Sequence, residues 1–177
     1  LMGGQQPLAV ENVEVGGEAL VKETYADKDF YFNGAGQLVL IDVTKPVVED
    51  ALAKSFEAWK KAYEVDVKQS KVKDINAGLA SIAQKYVGDA YNAYQFGDLA
   101  KASQLFAAAA EVSATAPYSN LDKDALYNAG FTAWMAKDYA GAQKYFEECV
   151  ANEYYYDDGE VFAKLADIHK NLGNGEK

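Results

Sequence analysis

The chain has 177 residues and 19.3 kDa, room for one ordinary domain or a short repeat array. All 17 basic residues are Lys against 27 acids, and the net charge of −10 argues against a nucleic-acid surface, which needs a dense cationic stripe, and disfavours an anionic membrane. A single Cys (Cys149) excludes an internal disulfide and a cysteine metal site, and a single His (His169) removes multi-histidine centres.

In chain order, residues 1–28 read as an irregular N-terminal segment, with Gly3-Gly4 and Gly16-Gly17 as loop glycines. The first residues carry neither a basic cluster nor an apolar core, so they are not a signal peptide. Position 1 is not Met, which points to a removed leader or to a piece of a longer chain. The best strand candidate is Gln37–Val43, an apolar run rich in β-branched residues. Helices are predicted over 46–66, with Pro46 in the first turn, and over 71–96, where Val72, Ile75, Leu79, Ile82, Tyr86, Ala90 and Ala93 recur at steps of three and four. Gly78 and Gly88 mark either a break or a close helix contact there. Further helices are predicted over 99–112, 123–136, 139–152 and 160–172. The basic stretch around Lys60, Lys61, Lys68, Lys71 and Lys73 reads as a solvated helix face and its loop. No apolar run is long enough to span a membrane as a helix.

Aligned on themselves, these helix pairs repeat. Leu126-x2-Ala129-Gly130-x2-Ala133 leads to Ala142-x3-Phe146-x2-Cys149, and Tyr86-x2-Asp89-Ala90-x2-Ala93 leads to Ala102-x3-Phe106-x2-Ala109, an offset of 40 from Ala102 to Ala142. Phe162-x2-Leu165-Ala166-x2-His169 opens another copy 36 residues after Leu126. A divergent copy, Tyr31-x2-Gly34-Ala35-x2-Leu38 with Ser55-x3-Trp59-x2-Ala62, lies upstream and favours helix for the first part of Gln37–Val43. The pattern resembles the tetratricopeptide repeat, a helix–turn–helix unit of about 34 residues, here of a bacterial helical-repeat kind. Leu126, Tyr86 and Phe162 stand where the family usually has Trp, and Tyr154-Tyr155-Tyr156 replaces the late Pro of the strongest copy.

The resemblance implies an all-α fold, a right-handed superhelical solenoid of antiparallel helix pairs. It divides the chain into the N-terminal segment 1–28, a divergent pair with an insertion over 29–66, a repeat with an extended first helix over 67–122, a repeat over 123–158, and the first helix of a truncated repeat over 159–177. The last helix then lacks a partner, and the natural chain is expected to continue beyond Lys177.

No catalytic set converges. His169 and Cys149 fall on packing positions, Asp157-Asp158-x-Glu160 reads as a helix start rather than an EF-hand, and Gly34-Ala35-Gly36 lacks the strand and third Gly of a phosphate loop. The chain is expected to be no enzyme, with no cofactor and no metal. The family's first helices line a concave face, and this register carries Tyr91, Tyr94, Tyr127, Phe131 and Trp134 onto it, with Asn128 and Lys170 for polar orientation. Phe32 and Val39 would extend the groove, and Asp167 would join Lys170 at its polar end. Asn33, Asn92 and Asn128 are available for the family's peptide-carboxylate clamp, but the absence of Arg and the phase of Asn92 argue against it. The expected function is a non-catalytic protein–protein interaction scaffold that binds a peptide or protein segment in a concave aromatic groove. The alternative is a cell-envelope ligand-binding component, glycan-related, in which Tyr and Trp stack on sugars. A removed leader would place the protein in a bacterial envelope or periplasm.

Overall fold

A computed structural model describes residues 6–173; Gly3, Gly4, Asn174 and Lys177 lie outside them. The chain divides into two units: residues up to Ala51 with Gln95–Gly97, and Leu52–Tyr94 with the residues from Asp98 onward.

The first unit overturns the all-α expectation. It is an antiparallel meander of β1 (Ala9–Val15), β2 (Glu18–Thr24), β3 (Asp29–Phe32) and β4 (Leu38–Asp42), in that spatial order. Residues 8–24 are therefore a hairpin and not part of an irregular segment. Val15 faces Glu18, so Gly16-Gly17 forms a two-residue hairpin loop, and both have the positive φ (61° and 83°) that a type I′ turn demands. The supposed helix pair of 29–66 is a second hairpin followed by one helix. Asn33 turns it: its Oδ1 accepts from the N–H groups of Ala35 and Gln37, each at 3.0 Å, and Gly36 takes φ 73°. Small residues spaced for a helix crossing are equally the residues of a tight turn, and the β-branched run after them pairs with β3, Leu40 opposite Tyr31. Leu20, Tyr31 and Leu40 are buried on one sheet face, backed by Val13, Val15 and Phe96. On that face Lys22 stands opposite Glu11 and pairs with it at 3.0 Å.

The second unit is helical: α1 (Ala51–Val65), α2 (Val72–Gln95), α3 (Leu99–Ala114), α4 (Lys123–Met135), α5 (Tyr139–Ala151) and α6 (Glu160–Asn171). Three helices begin at an Asp whose side chain accepts a backbone N–H three residues on: Asp98 from Lys101, Asp122 from Ala125 and Asp138 from Gly141. Short turns with a left-handed residue, Gly97 (φ 77°) or Lys137 (φ 62°), reverse the chain after α2 and α4.

Two cores run through this unit. In one, Phe56 of α1 packs with Ile75, Leu79 and Ile82 of α2. Gly78 is there for close approach, since a Cβ would overlap the Trp59 indole, whereas Gly88 faces open space. In the other, Ala90 and Ala93 admit Ala102 and Phe106, while a Cβ on Gly130 would come within 3.0 Å of the Phe146 ring. Ser103 Oγ donates to the Ala129 carbonyl at 2.8 Å, a buried tie from α3 to α4. Between α5 and α6 the backbone is unusual: Tyr156, Asp157, Asp158 and Gly159 all take positive φ (49°, 22°, 55° and 92°), ending in a single 3-10 turn before Glu160.

Candidate functional site

The repeat register expected from the sequence falls on α2, α4 and α6, and side-chain contacts run there from α2 to α4 and from α4 to α6. On α2, Tyr91 stands half out of the protein, its ring edge-on to Phe106 at 5.1 Å and its hydroxyl 3.5 Å from Asn128 Nδ2 on α4. Tyr94, one turn further along α2, is also exposed. On α4, Phe131 and Trp134 stack with ring centres 6.0 Å apart. Trp134 Nε1 donates to the Asp167 carboxylate of α6 at 2.7 Å. A row of aromatic and polar groups thus crosses three helices.

Sequence reasoning missed the cation of this row. Lys164, not Lys170, lies over the aromatics, its Nζ 4.0 Å from the Trp134 ring and 5.3 Å from that of Phe131. It pairs with Glu160 one turn earlier at 3.2 Å, and its side chain is largely covered. The signal was present: Lys164 stands 36 residues after Asn128, on the same phase of its helix. Lys170 is exposed at the end of α6.

Tyr127 is the other departure. It is buried, stacked on Tyr156 at 3.8 Å and tilted against Phe146 at 5.6 Å. Burial first, then the charge and hydrogen bond of Glu160, push its phenol well above the ordinary range. Tyr127 is thereby a core residue that anchors Tyr156. Its neighbour Tyr154 bonds Asp124 through its hydroxyl and is likewise raised, chiefly by burial. Phe32 and Val39 fall on β3 and β4, and Asn33 is engaged in its turn, so none of the three belongs to a helical register.

No family model, curated protein or solved structure matches this chain. The tetratricopeptide resemblance therefore stands on the motif residues alone.

The Cys149 thiol is fully buried and pushed up to about 12, by burial and then by Glu148, which keeps it protonated. Among the described residues no cluster of three or more His, Cys, Asp or Glu is arranged to hold a metal, and no helix is long and apolar enough to cross a membrane. A cavity of about 460 Å³ lies between α2 and the α3–α4 connection. Several of its polar groups are paired: Ser113 Oγ donates to Ala110 and accepts from Asp122, Asp122 caps α4, and Lys123 Nζ donates to the Asn152 carbonyl at 2.7 Å.

Proposed function

We propose that the helical unit is a non-catalytic scaffold that binds a peptide or protein segment across α2, α4 and α6. One observation carries this reading. Side chains in contact run from α2 to α4 through Tyr91 and Asn128, and from α4 to α6 through Phe131, Trp134, Lys164 and Asp167, and both groups are partly exposed. Such groups offer aromatic anchors held in fixed rotamers with polar groups beside them, the composition of a binding hot spot. The glycan reading draws less support, because Lys164 covers the face of Trp134 and Tyr156 covers that of Tyr127, faces on which a sugar would stack.

Trp134→Ala removes both the stack and the Asp167 bond. Measured by calorimetry against a partner isolated with the wild-type protein, it should weaken binding by about 1–3 kcal/mol. An unchanged affinity, with helicity intact, would remove Trp134 and this row from the interface.

A further inference from the structure

The strand unit buries a carboxylate oxygen without giving it a donor. Asp29 opens β3 on the sheet face that also carries Leu20, Tyr31 and Leu40, and only 9 % of the residue is exposed. Its Oδ1 is shut off from solvent and has no hydrogen-bond partner. An oxygen in that position is costly, because it has lost water and found nothing to replace it.

The strand register adds to the cost. Asp29 stands directly opposite Asp42 on β4, and residues so paired project from the same face of the sheet. Adjacent strands lie about 4.8 Å apart, so the two carboxylates are neighbours, and like charges placed this way repel. On its other side Asp29 faces Thr24 of β2, a neutral hydroxyl. The lysines of the neighbouring strand and loop serve other acids: Lys22 pairs with Glu11 at 3.0 Å and Lys28 with Asp27 at 3.3 Å. Where the sheet sets charge against charge elsewhere, Glu11 opposite Lys22, the signs are opposite.

We propose that Asp29 and Asp42 together hold a calcium ion. A divalent cation between the two strands replaces their repulsion by attraction to a shared centre and supplies the partner that Asp29 Oδ1 lacks. The donors are oxygens, and neither His nor Cys stands in the sheet, a combination that selects a hard cation. The site has two protein side chains as ligands, and water fills the rest of the shell. One of the two is buried and the other exposed, so the protein offers an irregular half-shell. Calcium tolerates such a shell, whereas magnesium demands a near-regular octahedron. Two carboxylates are a low ligand charge, which sets the dissociation constant at about 10⁻⁴–10⁻³ M. Both residues lie in the strand unit, so the site is independent of the scaffold reading of the helical unit.

The test follows amide exchange in the whole protein during a titration with calcium chloride, with β3 and β4 read against α3. Protection of β3 and β4 should rise and saturate by millimolar calcium while α3 stays unchanged. Sodium chloride at matched ionic strength should give no such rise, and magnesium chloride should need about tenfold higher concentration. Asp42→Asn, at an exposed position, should weaken the apparent affinity about tenfold or more. In the presence of a chelator the same variant should protect β3 and β4 better than the wild type does, because the repulsion is gone. That gain also shows that the variant folds. Glu18→Gln, an exposed acid outside the pair, should leave the calcium response as it is. The absence of a saturable response to calcium overturns the proposal, and so does an Asp42→Asn protein that responds like the wild type. An equal response to sodium chloride overturns it as well, since screening alone then accounts for the effect. Equal potency of magnesium removes the assignment to calcium. Protection that rises on acidification with no calcium response overturns the metal site too, because a proton shared by the two carboxylates then separates them.

Discussion

The two units bury their apolar side chains by different means. The helical unit stacks them in series: Phe56, Ile75, Leu79, Phe106, Leu126, Phe146, Val161 and Ile168 are all closed off, each between neighbouring helices. The strand unit closes off Leu20, Tyr31 and Leu40 and leaves Val10, Val39, Ile41, Val43 and Val47 exposed. A helix pair covers itself on one side and offers the other to the next pair, so burial accumulates along the chain. This four-stranded meander gathers its buried apolar side chains on one face, and its stability rests on very few of them.

That difference predicts a difference in the cost of truncation. Phe146→Ala should have the largest effect, about 4 kcal/mol, because the ring is fully buried and fills the space beside Gly130, which has no side chain to take its place. Chemical denaturation with hydrogen exchange should show amide protection falling through α4 and α5. A loss under 1 kcal/mol would mean that the Gly130 contact is not tightly packed.

In the strand unit, Leu40→Ala should cost about 2 kcal/mol, the low end for a buried Leu, because its small core relaxes more readily. Exchange protection of β2, β3 and β4 should drop with it. A cost equal to that of Phe146→Ala would end the contrast between a serial and a sparse core.

The same physics explains what the sequence disclosed. The six helices among the described residues were legible, although α1 begins at Ala51 and Pro46 lies before it rather than in its first turn, because a 3.6-residue apolar period sustained over three or more turns is hard to mimic and Asp stands at three of the starts. The strands were not, although their signals were present. Gly16-Gly17 between Val15 and Glu18 is a hairpin turn, and Gln37–Val43 has the β-branched composition of a strand. What misled was Tyr31-x2-Gly34-Ala35-x2-Leu38, where small residues fit a helix crossing and a turn equally well. Only the partner strand distinguishes the two, and pairing is not local. On the candidate face, Tyr91, Phe131 and Trp134 came from the register of the tetratricopeptide resemblance, and all three keep some exposure. The burial of Tyr127 did not, because Tyr156 reaches it from a run of positive-φ residues whose path no periodicity encodes.

The smallest effect separates a cooperative helical array from a set of independent hairpins. Asp138→Ala deletes one carboxylate that accepts the Gly141 N–H at 3.0 Å, and an N-cap of this kind contributes about 1 kcal/mol. The loss is local in origin, at the first turn of α5. If burial accumulates in series, the fraying cannot stay there, since α5 covers α4 through Phe146 and α4 is tied to α3 by the Ser103 hydroxyl. Exchange protection should then fall by a similar increment in α3, α4 and α5, with β2 and β3 unchanged. A loss confined to α5 would show instead that each hairpin opens by itself, and the helical unit would share the sparse stability of the sheet rather than contrast with it.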